Sequence, residues 1–169
     1  IMEKGLTPAG RSLVDQLCQL GAVVDVSHLN YGGFWDVARI CKGPFIASHS
    51  CADGLFHHRR NLTDEMIREI AEHGGVIGIN FCSEFAAGNK EMLYLADITA
   101  QAQYIKKIGG IDCLALGSDF DGVANSFEFQ DAAGMQQVAQ ALRQAGFTED
   151  ETEKIMYRNA LRVFKEVCG

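Results

Sequence analysis

Residues 22–28 read Ala22-Val23-Val24-Asp25-Val26-Ser27-His28, a β-branched apolar run of strand length that ends on a histidine. The run does not alternate apolar with polar, so a strand built from it is buried on both faces, as in a parallel sheet. Three further runs repeat the pattern: Pro44-Phe45-Ile46-Ala47-Ser48, Gly75 to Asn80, and Cys113 to Gly117. Each is bounded by an amphipathic stretch. Thr7-Pro8 offers a capping hydroxyl and a proline at the first helical position, and Leu13, Val14, Leu17 and Leu20 follow at helical spacing up to Gly21. Residues Tyr31 to Cys41 form a second helix, and Thr63-Asp64-Glu65 opens a third that Gly74 closes. Leu93 to Ile108 is a fourth helix, and helices over Gly134–Ala145 and Glu149–Val167 finish the chain, the last with a break expected near Arg158.

Four strand-then-helix units in a row mean an α/β fold, either doubly wound or part of a (β/α)8 barrel. Length separates the two. A complete barrel takes about 250 residues, whereas this chain has 169. It opens on Ile1 with a charged Glu3-Lys4, which resembles neither an initiator methionine nor a signal peptide. The expectation is therefore one segment, residues 1–169, forming the C-terminal half of a TIM barrel: four βα units plus C-terminal helices. A self-standing flavodoxin-like domain is the alternative; it predicts a cooperative monomer, whereas a half-barrel leaves strand edges open.

Composition narrows the function. A hydrophobic content of 47% supports a folded core, and no apolar run approaches the ~20 residues of a membrane span. The net charge of −7 argues against a nucleic-acid backbone as partner, since phosphates need a basic face. Six widely spaced cysteines without a CxxC pair read as reduced, mostly buried thiols of a cytoplasmic protein. Neither GxGxxG nor GxxxxGK[ST] occurs, so a nucleotide site has no support.

Chemistry-bearing residues cluster where strands end. His28 follows the first strand, His49 the second, Asn80 closes the third, and Asp119 and Asp121 follow the fourth. In parallel α/β folds the βα loops converge on that face. His28 and His49 lie 21 residues apart, one βα unit, which places them on neighbouring strands. A lone histidine is by default a hydrogen-bonded core residue or a cap; two at equivalent strand ends, with an aspartate at another, favour a pair of metal ligands. Two imidazoles suit zinc but do not complete a site, because three protein ligands plus water is the catalytic norm. Further ligands must come from outside this chain. In His57-His58-Arg59-Arg60, Arg59 is read as solvated, while an arginine over the strand ends can hold a carboxylate by two hydrogen bonds. Asp121-Gly122 reads as a turn, and His73 as a helix C-terminal cap.

With these residues in place, the sequence resembles the membrane (renal) dipeptidase family of zinc peptidases. The stretches that carry the resemblance are Gly5-Leu6-Thr7-Pro8-x-Gly10, Asp25-Val26-Ser27-His28, Ser48-His49-Ser50, Arg59-Arg60-Asn61-Leu62, Gly117-Ser118-Asp119-Phe120-Asp121-Gly122 and Asn159-Ala160-Leu161-Arg162-Val163-Phe164. They stand in family order over essentially the whole chain. The resemblance implies a (β/α)8 barrel with two zinc ions bridged by a glutamate and a water, His28 and His49 ligating one ion. It implies that Arg60 receives the free carboxylate of a dipeptide substrate. Asp119 would hold the free amino group and assist proton transfer. The family's remaining ligands lie upstream of the matching stretches, so the N-terminal half of the same protein is required. A homodimer is likewise implied by the resemblance. The rivals are another metal-dependent barrel hydrolase, or a metal-free binding domain or pseudoenzyme of the same fold.

Overall fold

The computed structural model describes residues 4–88, 90–124, 126–129 and 131–169; Ile1 and Glu3 of the opening stretch lie outside them. Helix α1 (Pro8–Gln19) starts where the sequence places it: Thr7 is the N-cap, its hydroxyl accepting from the Gly10 amide, with proline in the first turn. Helix α2 (Tyr31–Ile40) is capped in the same way by Asn30, which accepts from the Gly33 amide. Strand β1 (Ile46–Ser50), helix α3 (Asp64–Glu72) and strand β2 (Val76–Ile79) follow. Next come a short helix α4 (Ser83–Ala86), a two-residue strand β3 (Met92–Leu93), helix α5 (Leu95–Gly109) and strand β4 (Leu114–Leu116). A second two-residue strand, β5 (Ser126–Phe127), precedes helices α6 (Met135–Gln144), α7 (Glu149–Glu153) and α8 (Asn159–Cys168).

The main sheet has the order β1-β2-β4 and is parallel throughout, with Ile46 opposite Val76 and Ile77 opposite Leu114. All four residues of β2 are buried, as a non-alternating central strand requires. Gly78 and Gly117 face Ser48 from adjacent strands; a Cβ on either would overlap the Ser48 carbonyl oxygen. That close approach draws the strand ends together beneath the site.

The expected strand over Ala22–Val26 shrinks to a single parallel rung, Asp25 opposite Ile46. The reason is local. Ile46 donates to the Val24 carbonyl and Val26 to the Ile46 carbonyl, but the next amide, Ser48, donates to the Asp25 side chain. The carboxylate intercepts the ladder. In β1 the strand begins two residues beyond Pro44, which has no N–H to give, and runs on to Ser50.

Two more features differ from the expectation. Leu93 pairs in β3 with Phe127 of β5, so α5 begins at Leu95, with Asp97 reaching back to the Tyr94 amide. The last helix changes pitch rather than stopping: a π turn over Lys154–Arg158 joins α7 to α8. Of the cysteines, 41, 51 and 113 are buried, 18 and 82 half-buried and 168 exposed, and none is in a disulfide. Among the described residues no helix is long and apolar enough to cross a membrane.

Candidate functional site

At the carboxyl end of the first rung, Asp25 accepts four hydrogen bonds: from the amide and hydroxyl of Ser27 and from the amide and hydroxyl of Ser48. Burial opposes its ionisation, but these donors outweigh it and hold the carboxyl below its ordinary range. The Ser48 hydroxyl lies 2.7 Å from His49 Nδ1, and the His49 amide donates to the Ser27 hydroxyl. His49 is thus fixed through both backbone and ring. Its other ring nitrogen, Nε2, meets His28 Nε2 at 2.8 Å, with ring centroids 4.8 Å apart. Burial lowers the His49 pKa, aided by the charges of His28 and Arg60 and opposed by Asp119 and Asp25. The imidazole is held neutral, the form that ligates metal.

The two Nε2 atoms converge on one point, about half an ångström closer than the roughly 3.3 Å expected of two nitrogens on a tetrahedral zinc. They present two donors. Among the described residues no group of three or more His, Cys, Asp and Glu assembles a metal site, so the pair is a partial one. The donor chemistry fits a metal ion that takes its remaining ligands elsewhere.

Arg60 arrives from the loop after β1. That loop is tied shut: Leu62 bridges Ala52, Asp53 accepts from the His58 amide, and Asn61 donates to the carbonyls of Phe56 and Phe85. His58 stacks on Phe85 at 4.5 Å, accepts from the Arg60 amide at Nδ1 and faces Glu84 at 3.3 Å. The guanidinium lies 5.7 Å from the Phe85 centroid, and one of its nitrogens is 3.4 Å from His28 Nε2. Burial lowers its pKa against the opposing charges of Asp119, Asp25 and Cys82, yet a guanidinium stays cationic at any working pH.

Asp119 follows β4 with φ +63°, the one positive-φ residue other than glycine among those described. Aspartate tolerates this left-handed conformation better than most residues, though it still costs of order 1 kcal/mol. The Gly122 amide closes the turn on the Asp119 carbonyl, and a Cβ at Gly122 would collide with the Asp119 carboxylate. Asn80, fully buried at the end of β2, donates to Asp119 Oδ2 at 3.1 Å while accepting from the Cys82 amide.

The structure therefore brings His28, His49 and Arg60 into direct contact. The Asp119 charge reaches both His49 and Arg60. Arg59, His57 and Asp121 stay out in solvent. His73 caps α3, donating to the Glu69 carbonyl, and packs on Phe45 away from the site. Sequence reasoning missed two contributors. Asp25 and Ser48 organise His49, and the available signal was a charged residue inside an apolar strand. Phe81, Phe120, Phe127 and Phe129 form an aromatic cluster beside Asp119, ring centroids 5.3–6.4 Å apart, built on the unexpected β3–β5 pair.

Known proteins share the sequence and the fold of this chain. A protein encoded in the pqqA 5′ region of Klebsiella pneumoniae is 41% identical over 166 residues, 96% of this chain and 61% of its own length. The dipeptidase tcpJ of Claviceps purpurea is 32% identical over 164 residues, 96% of this chain and 39% of its own. The crystal structure of a metallopeptidase from Rhodobacter sphaeroides, liganded with a phosphinate mimic of the dipeptide L-Ala-D-Ala, superimposes with a TM-score of 0.92 at 32% identity. It matches 97% of this chain and 48% of that one. The chain thus spans 39–61% of the length of these relatives, and its parallel α/β units match the C-terminal portion of TIM-barrel-type dipeptidases. The family model for membrane dipeptidase, peptidase family M19, matches residues 2–168, and the chain belongs to that family.

Proposed function

We propose that the protein hydrolyses dipeptides with the help of bound zinc, and that this chain supplies part of one metal site and the groups that grip the two substrate ends. The observation that carries this reading is the meeting of His28 Nε2 and His49 Nε2 at 2.8 Å with the Arg60 guanidinium beside them. His28 and His49 would hold one zinc ion; when bound, such an ion polarises a carbonyl and acidifies a water. Arg60 takes the substrate carboxylate in a planar, two-point grip, pressed into place by Phe85 and the closed loop beneath it. Asp119 takes the substrate ammonium, its carboxylate aimed by Asn80 and by the turn at Gly122. Held from both ends, the substrate is measured: a longer peptide offers no charge where one end must bind. Asp119 would also assist the transfer of a proton from the attacking water to the leaving nitrogen.

Zinc content of the full-length protein, measured beside a His49→Ala variant, tests the proposal. About two zinc ions per chain, as in binuclear hydrolases, a clear loss in the variant, and hydrolysis of dipeptides but not tripeptides would bear it out. Unchanged zinc in the variant, or a wild-type protein without metal, would reduce the histidine pair to a structural contact and favour a metal-free binding protein.

A further inference from the structure

We infer that Asp25, acting through the Ser48 hydroxyl, is a positioning group that fixes His49 in the tautomer with its proton on Nδ1, so that Nε2 offers a bare lone pair to the metal. The inference rests on the metal-binding reading of His49 for its purpose, though not for its geometry.

Proton accounting carries the argument. Asp25 accepts from two amides and two hydroxyls, which favour its charged form and hold it ionised, so it has no proton to give. The Ser48 hydroxyl owns one proton and spends it on Asp25 Oδ2 at 2.5 Å, the length of a charge-assisted O–H···O⁻ bond. Ser27 Oγ, 3.3 Å from Ser48 Oγ, has likewise given its proton to Asp25 Oδ1. What remains on Ser48 is lone pairs, and His49 Nδ1 sits 2.7 Å from them. Two lone pairs cannot meet at that distance, so Nδ1 carries the hydrogen and donates it to Ser48. Nε2 is then unprotonated and faces His28 Nε2, which supplies the hydrogen of that contact while no metal is bound. The arrangement is a carboxylate–hydroxyl–imidazole relay. It does for a ligand what a directly bonded carboxylate does in many metal sites, with a serine interposed.

The same bonds also tie two strand ends together, so the test must separate aiming from scaffolding. The full-length protein, ¹⁵N-labelled at histidine and stripped of metal, is read by its imidazole nitrogen signals, with His49 assigned from the resonance missing in His49→Ala. Wild-type protein should show His49 protonated at Nδ1 and bare at Nε2. In Ser48→Ala and in Asp25→Asn, whose amide can donate to Ser48 and turn its hydroxyl proton toward His49, the proton should move toward Nε2. Zinc affinity, measured by competition with a chelator, should fall 10–100-fold. Ser48→Thr, which keeps the hydroxyl, should restore both readings. A wild-type His49 carrying its proton on Nε2 overturns the inference, as does a Ser48→Ala protein with unchanged tautomer and affinity. The wild-type reading decides even if a variant misfolds. If the tautomer switches as stated while wild-type protein binds no zinc and cleaves no dipeptide, the relay stands and the proposed function fails; the opposite pattern sinks only the relay.

Discussion

The two ends of the parallel sheet use similar residues to opposite effect. At the amino end, Asn159 is 3% exposed, and its amide donates to the carbonyls of Ile111 and Leu114 just where β4 begins. Arg162, one helical turn on, donates to the carbonyls of Gly74 and Asp112. These donors meet backbone acceptors that helices and strands leave over, and their capacity is consumed in doing so. At the carboxyl end, His28, His49 and Arg60 meet one another instead of backbone carbonyls, with His28 exposed and His49 and Arg60 half-buried. The π turn over Lys154–Arg158 belongs to the first region: it re-phases the helix so that Asn159 faces β4. One end is finished when the chain folds. The other, on the proposed function, is completed by a ligand.

Single substitutions should therefore divide cleanly between stability and activity. If the proposed function holds, the largest effect is expected at His49→Ala, with loss of zinc and a fall in kcat/KM for dipeptides of about 10³-fold or more, since a metal ligand acts only with its partners. The melting temperature of the metal-free protein should move little, because the ring is half-buried and braced from outside the core. A large shift in melting temperature would erase the contrast between the two ends. At the opposite end, Asn159→Ala removes two hydrogen bonds, one to the buried Leu114 carbonyl and one to the part-buried Ile111 carbonyl, which keeps the Leu114 amide as a donor. That should cost about 2–4 kcal/mol by denaturant unfolding, with zinc affinity unchanged. A variant that kept its stability but lost zinc would show that the two ends are coupled.

Most of this division was legible in the sequence. Three of the four apolar runs gave parallel strands and the first a single rung, and His28, His49 and Asp119 stand just beyond the first, second and fourth, because a strand's end is marked by the change from apolar to polar. The Arg59–Arg60 choice followed the resemblance, and Arg60 is indeed the arginine turned inward, while Arg59 is exposed. What escaped were pairings between segments distant in sequence. Nothing in Leu93 or Phe127 announces a two-residue strand, since two residues carry no periodicity. In the sequence Asp25 is one residue of a strand-length run; only its position opposite Ser48 makes it both the end of the ladder and the brace of His49. Asn159 and Arg162 belonged to a recognisable stretch, but their targets lie 45 to 88 residues away, so their structural role was invisible until the helix met the sheet.

The smaller effects sharpen the comparison, because the same substitution can be made at both ends. Arg60→Lys keeps the charge and loses the planar fork, so KM for a dipeptide should rise about 10–100-fold with a smaller change in kcat, and unfolding should be unaltered. Arg162→Lys makes the same chemical change at the amino end. There the guanidinium bridges two neutral carbonyls, on Gly74 and Asp112, at 2.6 and 3.0 Å. A lysine ammonium is a single point and reaches one of them well, so one net hydrogen bond is lost, worth about 1 kcal/mol. KM and zinc content should stay at wild-type values. If Arg162→Lys instead raised KM as much as Arg60→Lys, the amino end would be transmitting its geometry through β2 and β4 to the strand ends above. The close stacking of Gly78 and Gly117 against the Ser48 carbonyl offers that transmission a path, and a slackening there would reach His49 through its neighbour.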